Sequence, residues 1–231
     1  MEKNTRIINE YIKSLSAYTI VEAGKLYQEK FSEVPATTFY KAIERLAKSG
    51  ELIHLAKGMY YRPKESRFGQ APLSDEYIAD YFMEEGHGIY VGYKLYNDKG
   101  LTTQVGKSLD VLSEIVTGEK KSAQNVRVEK SNVPLTEKTI PAIETLEILQ
   151  NYGKIEDINK KRFIKYMEKY AEQYSEEAVD EVLATRKYKK STIAFLKAFL
   201  DYLNVENNLE KYLSKLSVYN IPSVEELYGL P

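Results

Sequence analysis

The residues best equipped for chemistry lie between positions 37 and 62. Phe39, Ile43 and Leu46 recur at i, i+4 and i+7, which predicts a helix with one buried face. The opposite face presents Thr37, Thr38, Tyr40, Lys41, Glu44, Arg45 and Lys48. Lys41 and Lys48, with Lys57 further on, are suited to neutralising phosphates and releasing counterions. Arg45 carries the planar fork that matches a guanine edge. Thr37, Thr38 and Tyr40 fall in the first helical turn, where side chains and backbone amides reach phosphates or base edges. Arg62 either joins this set or supports the neighbouring hairpin from its strand side. A merely solvated charged face is the plain alternative.

The elements around these residues have readable boundaries. Pro35-Ala36-Thr37-Thr38 reads as a helix start, and Gly50 as a left-handed stop. The hydrophobic period then changes from 3.6 to 2, predicting strands over 52–55 and 59–62. Ala56-Lys57-Gly58 joins them and Pro63 ends the pair. Upstream, Ile7, Ile8, Tyr11, Ile12 and Leu15 form an apolar stripe, and a second helix is predicted over 20–29. Three helices followed by a β-hairpin is the order of a winged helix-turn-helix. In that arrangement the third helix enters the major groove of duplex DNA and the hairpin approaches its backbone or minor groove. Modules of this shape also dock on proteins, so a protein-interaction role stays open.

Residues 63–73 read as an exposed connection, and Ser74 as the cap of a helix carrying Tyr77, Ile78, Tyr81 and Phe82. Gly86-His87-Gly88 lacks any phosphate-loop pattern and reads as a turn. A strand at 89–91 and a helix with Tyr93, Leu95 and Tyr96 follow. Extended stretches are expected over 109–116 and 125–133, joined by a polar connection at 117–122. Lys120, Lys121 and Arg127 read there as a solvated loop or as a second basic patch. After Pro141 helical stripes dominate: Phe163, Met167, Tyr170 and Tyr174; Val179, Val182 and Leu183; Ile193, Leu196, Phe199, Leu200 and Leu203; and Leu209, Tyr212, Leu213 and Leu216. Ser223-Val224-Glu225-Glu226 is a capping box. The fold class expected is α+β, mostly helical. It comprises an N-terminal winged helix-turn-helix over 1–67 and a region 68–231 that is mixed over 74–138 and helical over 139–231.

Composition excludes several functions. The chain has 231 residues, no cysteine and two histidines, which removes thiol chemistry and makes a histidine-based metal site unexpected. No nucleophile elbow, zinc-protease motif or paired-aspartate turn is present, so no enzyme activity and no cofactor are expected. The polar N-terminus and the lack of an apolar run of roughly 18 residues point to the cytoplasm and away from a membrane. Residues 1–67 hold twelve Lys/Arg against eight Asp/Glu, while the whole chain is at −1. A basic head on an acidic body suits a DNA-binding module joined to a part with another role.

Two stretches resemble one known family. The run from Thr37 to Leu46, continuing through Gly50 to Gly58-Met59-Tyr60, is similar to the N-terminal domain of AbiEi-type antitoxins of bacterial abortive-infection operons. Gly92 to Val105, above all Gly100-Leu101-Thr102-Thr103-Gln104-Val105, resembles a segment that follows the winged helix in that family. The resemblance implies a repressor of its own toxin–antitoxin operon that acts on promoter DNA. It also implies a cognate toxin of the nucleotidyltransferase type, counteracted by the region beyond the winged helix with or without direct contact. No family motif falls in the helical C-terminal third. A transcription regulator that senses a small ligand in that third is the further alternative.

Overall fold

The computed structural model describes residues 2–67 and 69–229. About half of the chain is helical and the class is α+β. Contacts divide it into two compact units: 1–81 with 121–126, and 82–120 with 127–231.

The first unit opens with α1 (Glu2–Ser14), β1 (Ile20–Glu22), α2 (Ala23–Lys30) and α3 (Ala36–Lys48), followed by β2 (Ile53–Ala56) and β3 (Met59–Tyr61). The second helix is thus shorter than the sequence pattern predicts. Residues 20–22 form a strand antiparallel to β3, with Ile20 opposite Tyr61, Val21 opposite Tyr60 and Glu22 opposite Met59. The β-branched pair Ile20-Val21 suits a pleated surface, and the partner that makes it a strand lies some forty residues away. The sheet order is β1-β3-β2, so β3 is central. Ile8, Ile12, Leu26, Phe31, Phe39, Ile43, Leu46 and Leu52 form one buried cluster beneath it. The stretch read as a bare connection holds a second hairpin, β4 (Lys64–Ser66) with β5 (Gly69–Ala71). Then comes α4 (Asp75–Met83), capped as expected by Ser74, whose Oγ accepts from the Tyr77 amide at 3.2 Å.

The second unit contains β6 (Gly88–Val91), α5 (Gly92–Asp98), β7 (Leu109–Ser113) and β9 (Val126–Lys130), with β6-β7-β9 as consecutive neighbours in a sheet. β8 (Lys120–Ala123) is the hairpin partner of β9. The polar connection predicted at 117–122 is therefore partly strand, and the hairpin turns instead at Gln124, whose φ is +52°. The C-terminal part is built from α6 (Thr139–Asn151), α7 (Lys160–Glu172), α8 (Glu176–Thr185) and α9 (Lys190–Tyr202), with the short α10 (Val224–Leu227). Their stripes meet in one core that includes Ile143, Leu146, Phe163, Met167, Val179, Val182, Leu196 and Phe199. The stripe predicted at 209–216 is not a full helix. A 3₁₀ turn spans Leu209–Tyr212, Leu209 is buried, and Leu216 is 98% exposed. Ser223 caps α10 by accepting from the Glu226 amide at 3.2 Å. Among the described residues no helix is long and apolar enough to cross a membrane.

Candidate nucleic-acid interface

The rotation of α3 is set by its apolar face. Phe39 is fully buried and Ile43 and Leu46 nearly so, with the Phe39 ring packed 5.2 Å from Tyr27 and 5.4 Å from Phe31. With 100° between successive residues, that burial turns Thr37, Lys41, Glu44, Arg45 and Lys48 outward, and all five are exposed. Thr38 sits half-buried beside them. The helix begins without a side-chain cap: Pro35 occupies the cap position with φ −53° and ψ 126°. Its carbonyl accepts from the amides of Thr38 at 2.8 Å and Phe39 at 3.1 Å. Neither threonine is used to close the helix end. At the other end Gly50 has φ +80°, the left-handed geometry expected of a stop. Its carbonyl accepts from the Gln70 side chain at 2.9 Å, a contact with no local signal in the sequence.

The charges on this face are not equivalent. Lys48 pairs with Glu44 at 2.7 Å, and the hydrogen bond and charge of Lys48 hold the Glu44 carboxyl below its ordinary value. Lys41 and Arg45 make no ion pair among the described residues, so three cations and one carboxylate leave the face at +2. Tyr40 is 44% exposed, its ring standing edge-on to Phe39 at 5.2 Å and tilted against Tyr27 at 5.7 Å. Those contacts hold its ring in place.

The hairpin carries Lys57 at its turn, exposed beside Gly58, whose φ is +70°. The turn is anchored, since the Gly58 carbonyl accepts from the amide of Ala23, the first residue of α2, at 2.8 Å. Arg62 is engaged within the protein. It is half-buried and donates from Nη1 to the Leu15 carbonyl. Its backbone pairs with Thr19 and Tyr18. The structure thus gathers Thr37, Lys41, Arg45 and Lys48 on one face, seats Tyr40 at its side, and places Lys57 on the hairpin turn. Arg62 serves instead as a strut joining the end of α1 to the sheet.

Sequence reasoning missed two polar arrangements. Glu22 accepts from the Tyr81 hydroxyl at 3.0 Å and from Lys121 at 3.1 Å, with the Glu22 and Lys121 side chains only 11% and 12% exposed. Lys121 is therefore neither a solvated loop residue nor part of an open basic patch; its partner is 99 residues away. Lys120 pairs with Glu129 at 3.3 Å. The second arrangement explains the Gly100 to Val105 segment, which is a latch. Asn97 Nδ2 donates to the carbonyls of Thr102 and Gln104, at 2.8 and 3.0 Å. The buried Thr102 hydroxyl donates to the Glu156 carbonyl at 2.8 Å, and the Leu101 carbonyl accepts from the Asn159 amide at 2.7 Å. These bonds hold the segment after α5 against the loop that leads into α7.

Of Gly86-His87-Gly88, read as a turn from the sequence, only His87 lies in one: Gly86 ends a 3₁₀ turn (Glu84–Gly86) and Gly88 begins β6, with His87 Nδ1 3.0 Å from Glu114 Oε2. Among the described residues no group of three or more His, Asp or Glu side chains is placed to hold a metal ion.

Residues 8–173 match the model of DUF6088, a family of unknown function, and the chain belongs to that family. The match runs from α1 through the first half of the C-terminal helices and takes in both α3 and the latch. No curated protein matches the chain.

Proposed function

We propose that the N-terminal unit is a winged helix and that this protein is a DNA-binding repressor, with α3 as the helix that enters the major groove. The observation that carries this reading is the two-sided build of α3. One face is locked into the core by Phe39, Ile43 and Leu46. The other carries Lys41 and Arg45 without ion pairs beside Thr37, Tyr40 and Lys48. The element order α1-β1-α2-α3-β2-β3, with a cationic hairpin turn at Lys57, supports the same reading. In this role Lys41, Lys48 and Lys57 contact phosphates and Arg45 reads a base edge. Thr37, Thr38 and Tyr40 set the register at the start of the helix.

The resemblance of the α3–β3 stretch and of the latch segment to AbiEi-type antitoxins supports a fuller reading. In it the protein represses its own toxin–antitoxin operon in the cytoplasm. Its region beyond the winged helix counteracts a nucleotidyltransferase-type toxin, and no catalysis by this chain is involved.

The test is fluorescence anisotropy on a labelled duplex from upstream of the gene, against a scrambled duplex. The full chain should prefer the native duplex, and Lys41→Glu/Arg45→Glu should abolish binding while circular dichroism stays unchanged. Equal binding of both duplexes by wild type and variant would overturn the DNA-binding reading and leave protein docking. Rescue of cells expressing the neighbouring toxin tests the antitoxin part, and absence of rescue removes it.

A further inference from the structure

A cleft of about 540 Å³ runs along α7 in the second unit, within the range of small-molecule sites. Arg162, Lys165 and Lys169 lie along it at i, i+3 and i+7, the spacing that puts three side chains on one helical face. All three are exposed, and none makes an ion pair among the described residues. A fourth cation in the lining, Lys99, is paired with Glu144 at 2.5 Å.

One further observation points to a ligand. Tyr170 lines the cleft at 3% exposure, and its hydroxyl has no hydrogen-bond partner. Neighbouring Tyr166 satisfies its own hydroxyl on Thr145 at 2.9 Å, while the Tyr174 hydroxyl, its ring 6.2 Å from that of Tyr170 and outside the cleft lining, is also unpartnered. Buried polar groups are seldom left unpaired, and burial pushes the Tyr170 hydroxyl up, so it remains a proton donor at neutral pH. Arg162 also passes close to the latch segment. Gly100 has φ +67°, and a Cβ there would come within 2.3 Å of Arg162 Nη1. The glycine of the latch segment thus leaves the space that the guanidinium occupies.

We propose that this cleft binds a small molecule carrying two or more phosphate groups, of the size of a nucleoside polyphosphate. Its phosphates would lie on Arg162, Lys165 and Lys169, and a polar atom of the ligand would accept from Tyr170. Three uncompensated cations call for more negative charge than one carboxylate supplies, and a guanidinium matches phosphate oxygens in pairs. The proposal is independent of DNA binding by α3, because every residue it uses lies in the second unit.

The experiment is titration calorimetry of the full chain with inorganic pyrophosphate and with ATP, beside a short DNA duplex, at fixed ionic strength. Saturable one-to-one binding of pyrophosphate or ATP is expected. Lys165→Glu/Lys169→Glu, both at exposed positions, should weaken it at least about tenfold. Tyr170→Phe should weaken it about fivefold while leaving the melting temperature of the unliganded protein unchanged or higher, because it removes a hydroxyl that lacks a partner. Absence of saturable binding by either probe would overturn the proposal. So would equal affinity in wild type and the lysine variant, or binding that only the duplex shows and that the lysine variant loses.

Discussion

Replacing Glu44 by glutamine should strengthen DNA binding. Glu44 stands amid Lys41, Arg45 and Lys48 and holds Lys48 in an ion pair at 2.7 Å. Glu44→Gln raises the exposed face of α3 from +2 to +3 and frees one lysine for a phosphate. One added phosphate contact steepens the plot of log affinity against log salt by about 0.9. Between about 50 and 200 mM salt, a fourfold change, the advantage of the variant over wild type should therefore shrink by roughly 3.5-fold. Lys48→Ala should act oppositely, because it leaves the Glu44 carboxylate facing the phosphates. The double variant Glu44→Gln/Lys48→Ala returns the face to +2 and should behave like wild type. Anisotropy titrations at four or five salt concentrations measure all of this. An unchanged affinity and slope for Glu44→Gln would refute the placement of this face against DNA. A loss confined to the native duplex would mean instead that Glu44 accepts a hydrogen bond from a base, and the electrostatic argument would fail.

Two further outcomes concern stability. Glu22→Ala removes the carboxylate shared by Lys121 and Tyr81 in a nearly buried pair; it should cost about 3 kcal/mol, and Glu22→Met/Lys121→Met should recover most of it. Urea denaturation checks this, and a cost for Glu22→Ala below about 0.5 kcal/mol would show the pair to be inconsequential. At high pH the second unit should lose stability through its tyrosines. Burial raises Tyr174 and Tyr228 to about 12 and pushes Tyr96, Tyr166, Tyr170 and Tyr188 up as well. In the unfolded chain they ionise near about 10. A raised folded value means that the folded state keeps the proton, so its contribution is whole below about pH 10 and is lost as pH rises toward 12. Tyrosinate absorbance should then rise in step with loss of helix, and gradual ionisation in an intact fold would contradict this.

What the sequence determined by itself is local in origin. The period of Phe39, Ile43 and Leu46 set which face of α3 is buried, and therefore which side chains are left outside. Gly50 stopped that helix because glycine takes a left-handed conformation at little cost, and Ser74 and Ser223 marked helix starts through bonds to amides three residues on. The stripes in α7, α8 and α9 were equally legible, since burial against any partner demands the same spacing.

Tertiary structure decided what depends on distant partners. Ile20 and Val21 joined a strand because β3 offers them an edge, while 209–216 had a helical pattern but only Leu209 to Tyr212 wound into a 3₁₀ turn. Lys48 and Lys41 look alike in the sequence, yet one is held by Glu44 and the other is not. Arg62 was drawn inward by the Leu15 carbonyl, and Lys121 by a carboxylate 99 residues earlier. Charge and hydrogen-bonding capacity are properties of a residue, but whether they are already spent inside the molecule is a property of its neighbours, and those are fixed only when the chain folds.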